Sequence, residues 1–114
     1  MHIAVQSGSD DVLKRMNRRH SVKDFYLLVA SIQKVKPDVE FGTDIIVGFP
    51  GETEEQFMQS VELFNNVKFN VAYISMYSPR KGTPAEKYFE DDISLKEKKR
   101  RHAYLTEIWK KSLL

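Results

Sequence analysis

The chain has 114 residues, 18 Lys and Arg against 16 Asp and Glu, a formal charge of +2 and no cysteine. That length supports one modest core. The near balance of charge names no partner, and the missing thiols exclude disulfides, zinc–cysteine sites and cysteine-held iron–sulfur clusters within this chain. No apolar run approaches the roughly 20 residues of a membrane helix, and the start has no basic segment leading into a long apolar one, so a cytoplasmic setting without a leader is expected.

In chain order, residues 2–6 form a short apolar stretch that ends in Ser7-Gly8-Ser9, which reads as a buried strand and a turn. Ser9 or Asp10 can cap a short helix holding Val12, Leu13 and Met16. Ser21 caps a longer helix with Asp24 at its third position. Phe25, Leu28, Val29, Ile32 and Val35 supply its apolar stripe, and Pro37 marks its end. A second strand is expected over 40–47, where Ile45, Ile46 and Val47 are consecutive and β-branched, as in a strand covered on both faces.

Thr53 opens the next helix with Gln56 three residues on, a capping box, and Phe57, Val61 and Phe64 face inward. A third strand is expected over 71–77, followed by a turn-rich loop over 78–84. Ser94 and Glu97 form a last capping box before a helix whose inward stripe is Leu105, Ile108 and Trp109. The basic run of this helix (Lys96, Lys98, Lys99, Arg100, Arg101, Lys110, Lys111) reads as a solvated face, or else as a contact for an anion such as RNA. Lys14, Arg15, Arg18 and Arg19 form a second such cluster.

Strands alternating with helices imply three consecutive βα units on a parallel α/β sheet. Three strands leave two open edges, so the chain reads as part of a larger barrel or sheet, and its free edges are expected to self-associate. Ligands in such folds sit at the C-terminal strand ends, here residues 6–9, 48–52 and 77–80. The turn at 48–52 runs into Glu52, Glu54 and Glu55. Acids in a first helical turn are good capping, but they leave a poor phosphate site. The Gly48 and Gly51 spacing fits neither a P-loop nor a dinucleotide fingerprint. Gln6, Ser7 and Ser9 are turn formers or hydrogen-bonding ligand contacts. Arg18 and Arg19 are near enough in sequence to hold a ligand carboxylate, and either is otherwise a surface arginine. His2, His20 and His102 lack metal-ligand spacing.

Four segments together carry a resemblance: M-H-I-A-V-Q-S-G-S (1–9), L-K-R-M-N-R-R (13–19), T-D-I-I-V-G-F-P-G-E-T-E-E (43–55) and Y-S-P-R-K-G-T-P-A (77–85). In order and spacing they resemble the radical S-adenosylmethionine methylthiotransferases across nearly the whole chain. The wording is most similar to the tRNA branch, the MiaB type, which adds a methylthio group to C2 of an N6-modified adenosine at position 37 of tRNA. The branch that modifies an aspartate of a ribosomal protein is the alternative, and a stand-alone RNA-binding α/β module is another. The resemblance implies the second half of a partial (β/α)6 TIM-like barrel, strands four to six with their helices.

It also implies S-adenosylmethionine contacts at Gln6 and Arg18, with Ser7 and Ser9 in the same strand-end motif. The turn from Ile46 and Gly48 to Glu52 would line the adenine pocket, with Tyr77 at the third strand end. The family's C-x-x-x-C-x-x-C motif for a [4Fe-4S] cluster has no counterpart here. Nor do its N-terminal methylthiotransferase domain and its tRNA-gripping TRAM domain. The resemblance therefore implies a partial chain that is inactive alone.

Overall fold

A computed structural model describes residues 1–78 and 90–114. Helix α1 (Asp10–Arg15) and helix α2 (Val22–Val35) precede strand β1 (Gly42–Val47). Helix α3 (Glu54–Asn66), strand β2 (Val71–Met76) and helix α4 (Leu95–Ser112) follow. The caps form where the sequence places them. Ser21 and Asp24 bond each other's backbone at α2, as do Thr53 and Gln56 at α3. At α4 the box is only half made. The Ser94 hydroxyl accepts from the Glu97 N–H, but the Glu97 carboxylate turns to Arg100 and Arg101, because a charge-assisted bond outweighs one to a neutral amide.

β1 and β2 pair in parallel, Gly42 with Val71 through Val47 with Met76. The expected first strand is not a regular one, so the count of three complete βα units is corrected. Residues 2–6 run parallel to β1 but touch it through only two bridges, His2 with Gly42 and Gln6 with Ile45. Four steps on one side meet three on the other, so the segment carries a bulge. The Thr43 hydroxyl fills the gap, accepting from the Val5 N–H at 3.2 Å and donating to the Ile3 C=O at 2.7 Å. Thr43 is fully buried, so both backbone groups depend on it.

The expectation of a β1 covered on both faces is also corrected. Ile45 and Val47 are buried with Phe25, Val29, Phe57, Val61, Phe64, Phe69 and Leu105, while Asp44 and Ile46 are only partly covered. β2 repeats the asymmetry: Ala72 and Ile74 pack on the core, whereas Val71, Tyr73 and Ser75 are exposed. The helices thus cover one face of a sheet whose members lie side by side in chain order. That arrangement is consistent with a fragment of a TIM-like barrel and differs from a doubly wound sheet, which has helices on both faces. In α2, Phe25 and Val29 are buried as the stripe predicts, but Leu28 and Val35 are exposed. The expected third-strand loop falls mostly on 79–89, outside the described residues.

Candidate functional site

Two turns and the end of β2 share one edge of the sheet. Residues 6–9 leave beside Ile45, residues 48–52 follow Val47, and Tyr77 follows Met76 with its N–H on the Val47 C=O at 2.8 Å. Residues 79 and 80, counted with this rim from the sequence, lie outside the described residues.

Gln6 closes the first segment at φ +72°, a left-handed conformation that is costly for a residue with a Cβ. The Ser7 N–H bonds to the Val5 C=O at 2.9 Å around it, the rare γ-turn of positive φ. Strain held at a strand end points to a site that needs that shape. Replacing Gln6 with glycine should melt no lower than the parent, because relief of about 1–2 kcal/mol offsets the entropy cost of glycine. A Gln6→Val variant should lose about 1–3 kcal/mol. Urea denaturation compares them.

The serines look inward. Ser7 and Ser9 are buried. The Ser7 hydroxyl accepts from the Ser9 N–H, and the Ser9 hydroxyl caps α1 by accepting from Val12. Gly8 between them donates to the Ser60 hydroxyl at 2.8 Å and lies directly on the backbone of α3. Helix α1 then ends in a Schellman motif. Asn17 is left-handed at φ +60°, with its N–H on Lys14, and the Arg18 N–H reaches the Leu13 C=O. That motif fixes where the Arg18 side chain leaves the backbone. Arg18 is exposed and forms no ion pair among the described residues.

At the second turn the hydrogen bonds of β1 alternate between neighbours. Odd residues face β2, as the Val47 C=O does, and even residues face the first segment, as the Ile46 N–H does on the Gln6 C=O. The Ile46 C=O therefore points past Gln6, where the chain has already turned away. No donor reaches it among the described residues. Gly48 follows at φ +74° and donates to Glu52 Oε1 at 2.9 Å.

Glu52 is 2% exposed. Its Oε1 also accepts from Arg101 Nη1 at 2.9 Å, and its Oε2 has no partner among the described residues. Burial pushes its carboxyl above the usual range, against the Gly48 N–H and the Arg101 guanidinium, which pull it down. Glu54 pairs with Arg100 on α4. Of the acidic run at this turn, then, one carboxylate is a buried clasp and another an exposed bridge. Tyr77 is partly buried, edge-on to Phe49 with ring centroids 5.1 Å apart, and Lys98 Nζ lies 5.2 Å from its ring centre.

The sequence reading missed α4's part in this rim. Lys98 and Arg101, expected on a solvated face, are each 5% exposed. Lys98 pairs with Asp91 at 2.7 Å. Arg101 also donates to the Glu52 C=O and to Glu97 Oε1, both at 2.9 Å. A signal for this was present: positions 98, 101 and 105 share the helical stripe that carries Leu105 inward. Among the described residues no cluster of His, Asp and Glu could hold a metal ion, and no helix is long and apolar enough to cross a membrane.

The sequence profile of the radical SAM superfamily matches residues 1–64. A tRNA-2-methylthio-N(6)-dimethylallyladenosine synthase of Thermosipho africanus is 47% identical over 110 residues, 96% of this chain and 26% of that protein. The synthase of the same name from Bacillus licheniformis is 47% identical over 108 residues, 95% of this chain and 21% of its own. A threonylcarbamoyladenosine tRNA methylthiotransferase of Thermotoga maritima is 47% identical over 107 residues, 94% of this chain and 24% of its own. The chain thus spans about a quarter of the length of these curated relatives.

Proposed function

Because the chain belongs to the radical SAM superfamily, we propose that it forms the second half of the cofactor barrel of a tRNA methylthiotransferase. The whole protein would add a methylthio group to C2 of an N6-modified adenosine in tRNA, in a cytoplasmic setting. One observation carries this reading: identity of 47% extends over 96% and 95% of the chain to two proteins named for that reaction. The same identity to the threonylcarbamoyladenosine enzyme leaves the N6 group open between the two types.

S-adenosylmethionine fits part of what the rim offers. The Ile46 C=O is an acceptor without a donor among the described residues, which suits an exocyclic amine. Gln6 brings an amide at a strained corner, and Arg18 a guanidinium with no ion pair among the described residues, suited to a carboxylate. Tyr77 borders the same edge. Ser7, Ser9 and Glu52 would act differently, as the residues that hold the turns on which those contacts stand. Bound, the cofactor supplies a sulfonium for reductive cleavage. A [4Fe-4S] cluster does not fit this chain, which has no thiolate to hold one. After iron and sulfide reconstitution the chain alone should show no cluster absorbance and form no 5′-deoxyadenosine.

A chimera tests the proposal. These 114 residues replace the matching stretch of the Thermosipho synthase, and tRNA nucleosides are analysed by mass spectrometry. Methylthiolated adenosine is expected. A chimera that cleaves the cofactor yet leaves tRNA unmodified defeats the reading. The stand-alone RNA-binding module is weakened because Lys98 and Arg101 are buried, and Arg100 and Lys111 are paired with acids. The aspartate-modifying branch has no specific observation in its favour. Among the described residues no strand pairs with the outer edges of β2 or of residues 2–6, which suits self-association of the isolated chain, although at β2 His102 Nε2 already meets the Ile74 C=O at 2.8 Å.

A further inference from the structure

We propose that Arg101, from the last helix, is a positioning residue that sets the Gly48–Glu52 turn for cofactor binding by clamping the Glu52 carboxylate. The inference rests on the cofactor reading above and extends the site to a helix outside the matched residues 1–64.

The clamp has three parts. Arg101 Nη1 donates to both Glu52 Oε1 and the Glu52 C=O, each at 2.9 Å, so both the side chain and the backbone of Glu52 are held. The same Oε1 accepts from the Gly48 N–H at 2.9 Å, which links the arginine to the left-handed residue that follows β1. Arg101 is itself locked, with its Nε on Glu97 and its guanidinium 5.7 Å from the centre of the Phe57 ring. One turn earlier, the Lys98 stem lies against Gly48 so closely that an added Cβ would sit 2.5 Å from Lys98 Cγ.

The turn from Gly48 to Glu52 is therefore braced by α4 as well as shaped by its own glycines, Gly48 at φ +74° and Gly51 at φ +79°. Gly48 follows by two residues the Ile46 C=O, which meets no donor among the described residues, so a turn that relaxes re-aims that acceptor and the backbone beside it. A guanidinium can serve carboxylate, carbonyl and Glu97 at once. A lysine ammonium keeps the charge but loses that fork geometry. Arg101→Lys is therefore a variant that should fold with its turn misplaced.

The test uses amide NMR of the whole chain during titration with S-adenosylmethionine. In Arg101→Lys the Gly48 amide resonance should move and affinity should fall about tenfold, the weight of one well-placed hydrogen bond. Glu52→Gln should lose a similar factor, and the double variant should lose no more than either single one, because one path carries both effects. Arg100→Lys, on the exposed side of the same helix, should bind as the parent does. An unmoved Gly48 amide in Arg101→Lys overturns the proposal whatever the ligand does. So does unchanged affinity beside a lowered melting temperature, since Arg101 would then only hold the fold. The same variants in the chimera described above place the turn in a complete barrel. Arg101→Lys should lower cofactor affinity there too. A chimera that binds no S-adenosylmethionine refutes the cofactor reading itself, and the positioning claim with it; the first two outcomes leave that reading standing.

Discussion

Gly8→Ala is expected to destabilise the chain by about 3 kcal/mol or more, the sum of overpacking and a lost buried hydrogen bond. An added Cβ would stand 2.4 Å from the Gln59 oxygen and 2.6 Å from Ser60 Cα. Both atoms belong to the backbone of α3, in the middle of a 13-residue helix. A side chain could swing aside, but a hydrogen-bonded helix does not, so the turn must lift. Lifting breaks the bond from the Gly8 N–H to the buried Ser60 hydroxyl. It also loosens the cap of α1, because Ser9 is the next residue. A loss of that size lowers the melting temperature by roughly 10–20 °C for a domain of this length. Gly42→Ala is the control, since its new methyl would meet first the flexible His2 ring, at 3.0 Å. Thermal melts of the two variants decide: if Gly8→Ala melts as Gly42→Ala does, the turn is not pressed onto α3.

Short-range grammar carried most of the fold. Ser21, Thr53 and Ser94 each cap the helix they precede, because an N-cap bond spans only three residues and its partners are visible side by side. That residues 6–9, 48–52 and the end of β2 share one edge was legible too, since parallel strands in successive units must end together. What stayed hidden was non-local. The bulge of residues 2–6 depends on the Thr43 hydroxyl, about forty positions away, and nothing near residue 3 announces it. Leu28 and Val35 keep helical spacing but stay exposed, because spacing along one helix does not say how far the surface it packs against extends. The acidic run at 52–55 read as one feature and is not one: the residue before the cap turns inward and the first helical residue turns out. Which carboxylate is buried depends on a cation 49 positions later. Its spacing from Leu105 was the only hint.

That cation gives the second large effect. Arg101→Met should cost about 3–5 kcal/mol at pH 8, because it leaves the Glu52 carboxylate buried without its partner. The loss should also depend on pH in a definite direction. Burial already raises the Glu52 carboxyl above its ordinary value of 4.5 in the folded chain. A raised carboxyl favours the folded state below the unfolded value, and that benefit disappears as pH climbs through the folded value. Removing Arg101 takes away one hydrogen bond and one attraction that hold the carboxyl down, so the folded value rises further. The variant's deficit should therefore be largest near pH 8 and shrink towards pH 5, where Glu52 can take up a proton.

Glu97 titrates in a separate window. Arg100 and then Arg101 hold its carboxyl down to about 2, so its contribution is present above 4.5 and fades only below it. Between pH 5 and 8 the change belongs to Glu52. Urea denaturation can be followed by the single tryptophan, Trp109, whose Nε1 donates to the Phe69 C=O at 2.8 Å and reports on how α4 docks. Glu52→Gln provides the reference. In that background Arg101→Met should cost less, about 1–2 kcal/mol, as expected when no buried charge is stranded, and the slope with pH should vanish. A deficit as large at pH 5 as at pH 8, or one that persists unchanged in the Glu52→Gln background, would mean that Arg101 supports the fold through Glu97 and Phe57 and not through the strand-end carboxylate.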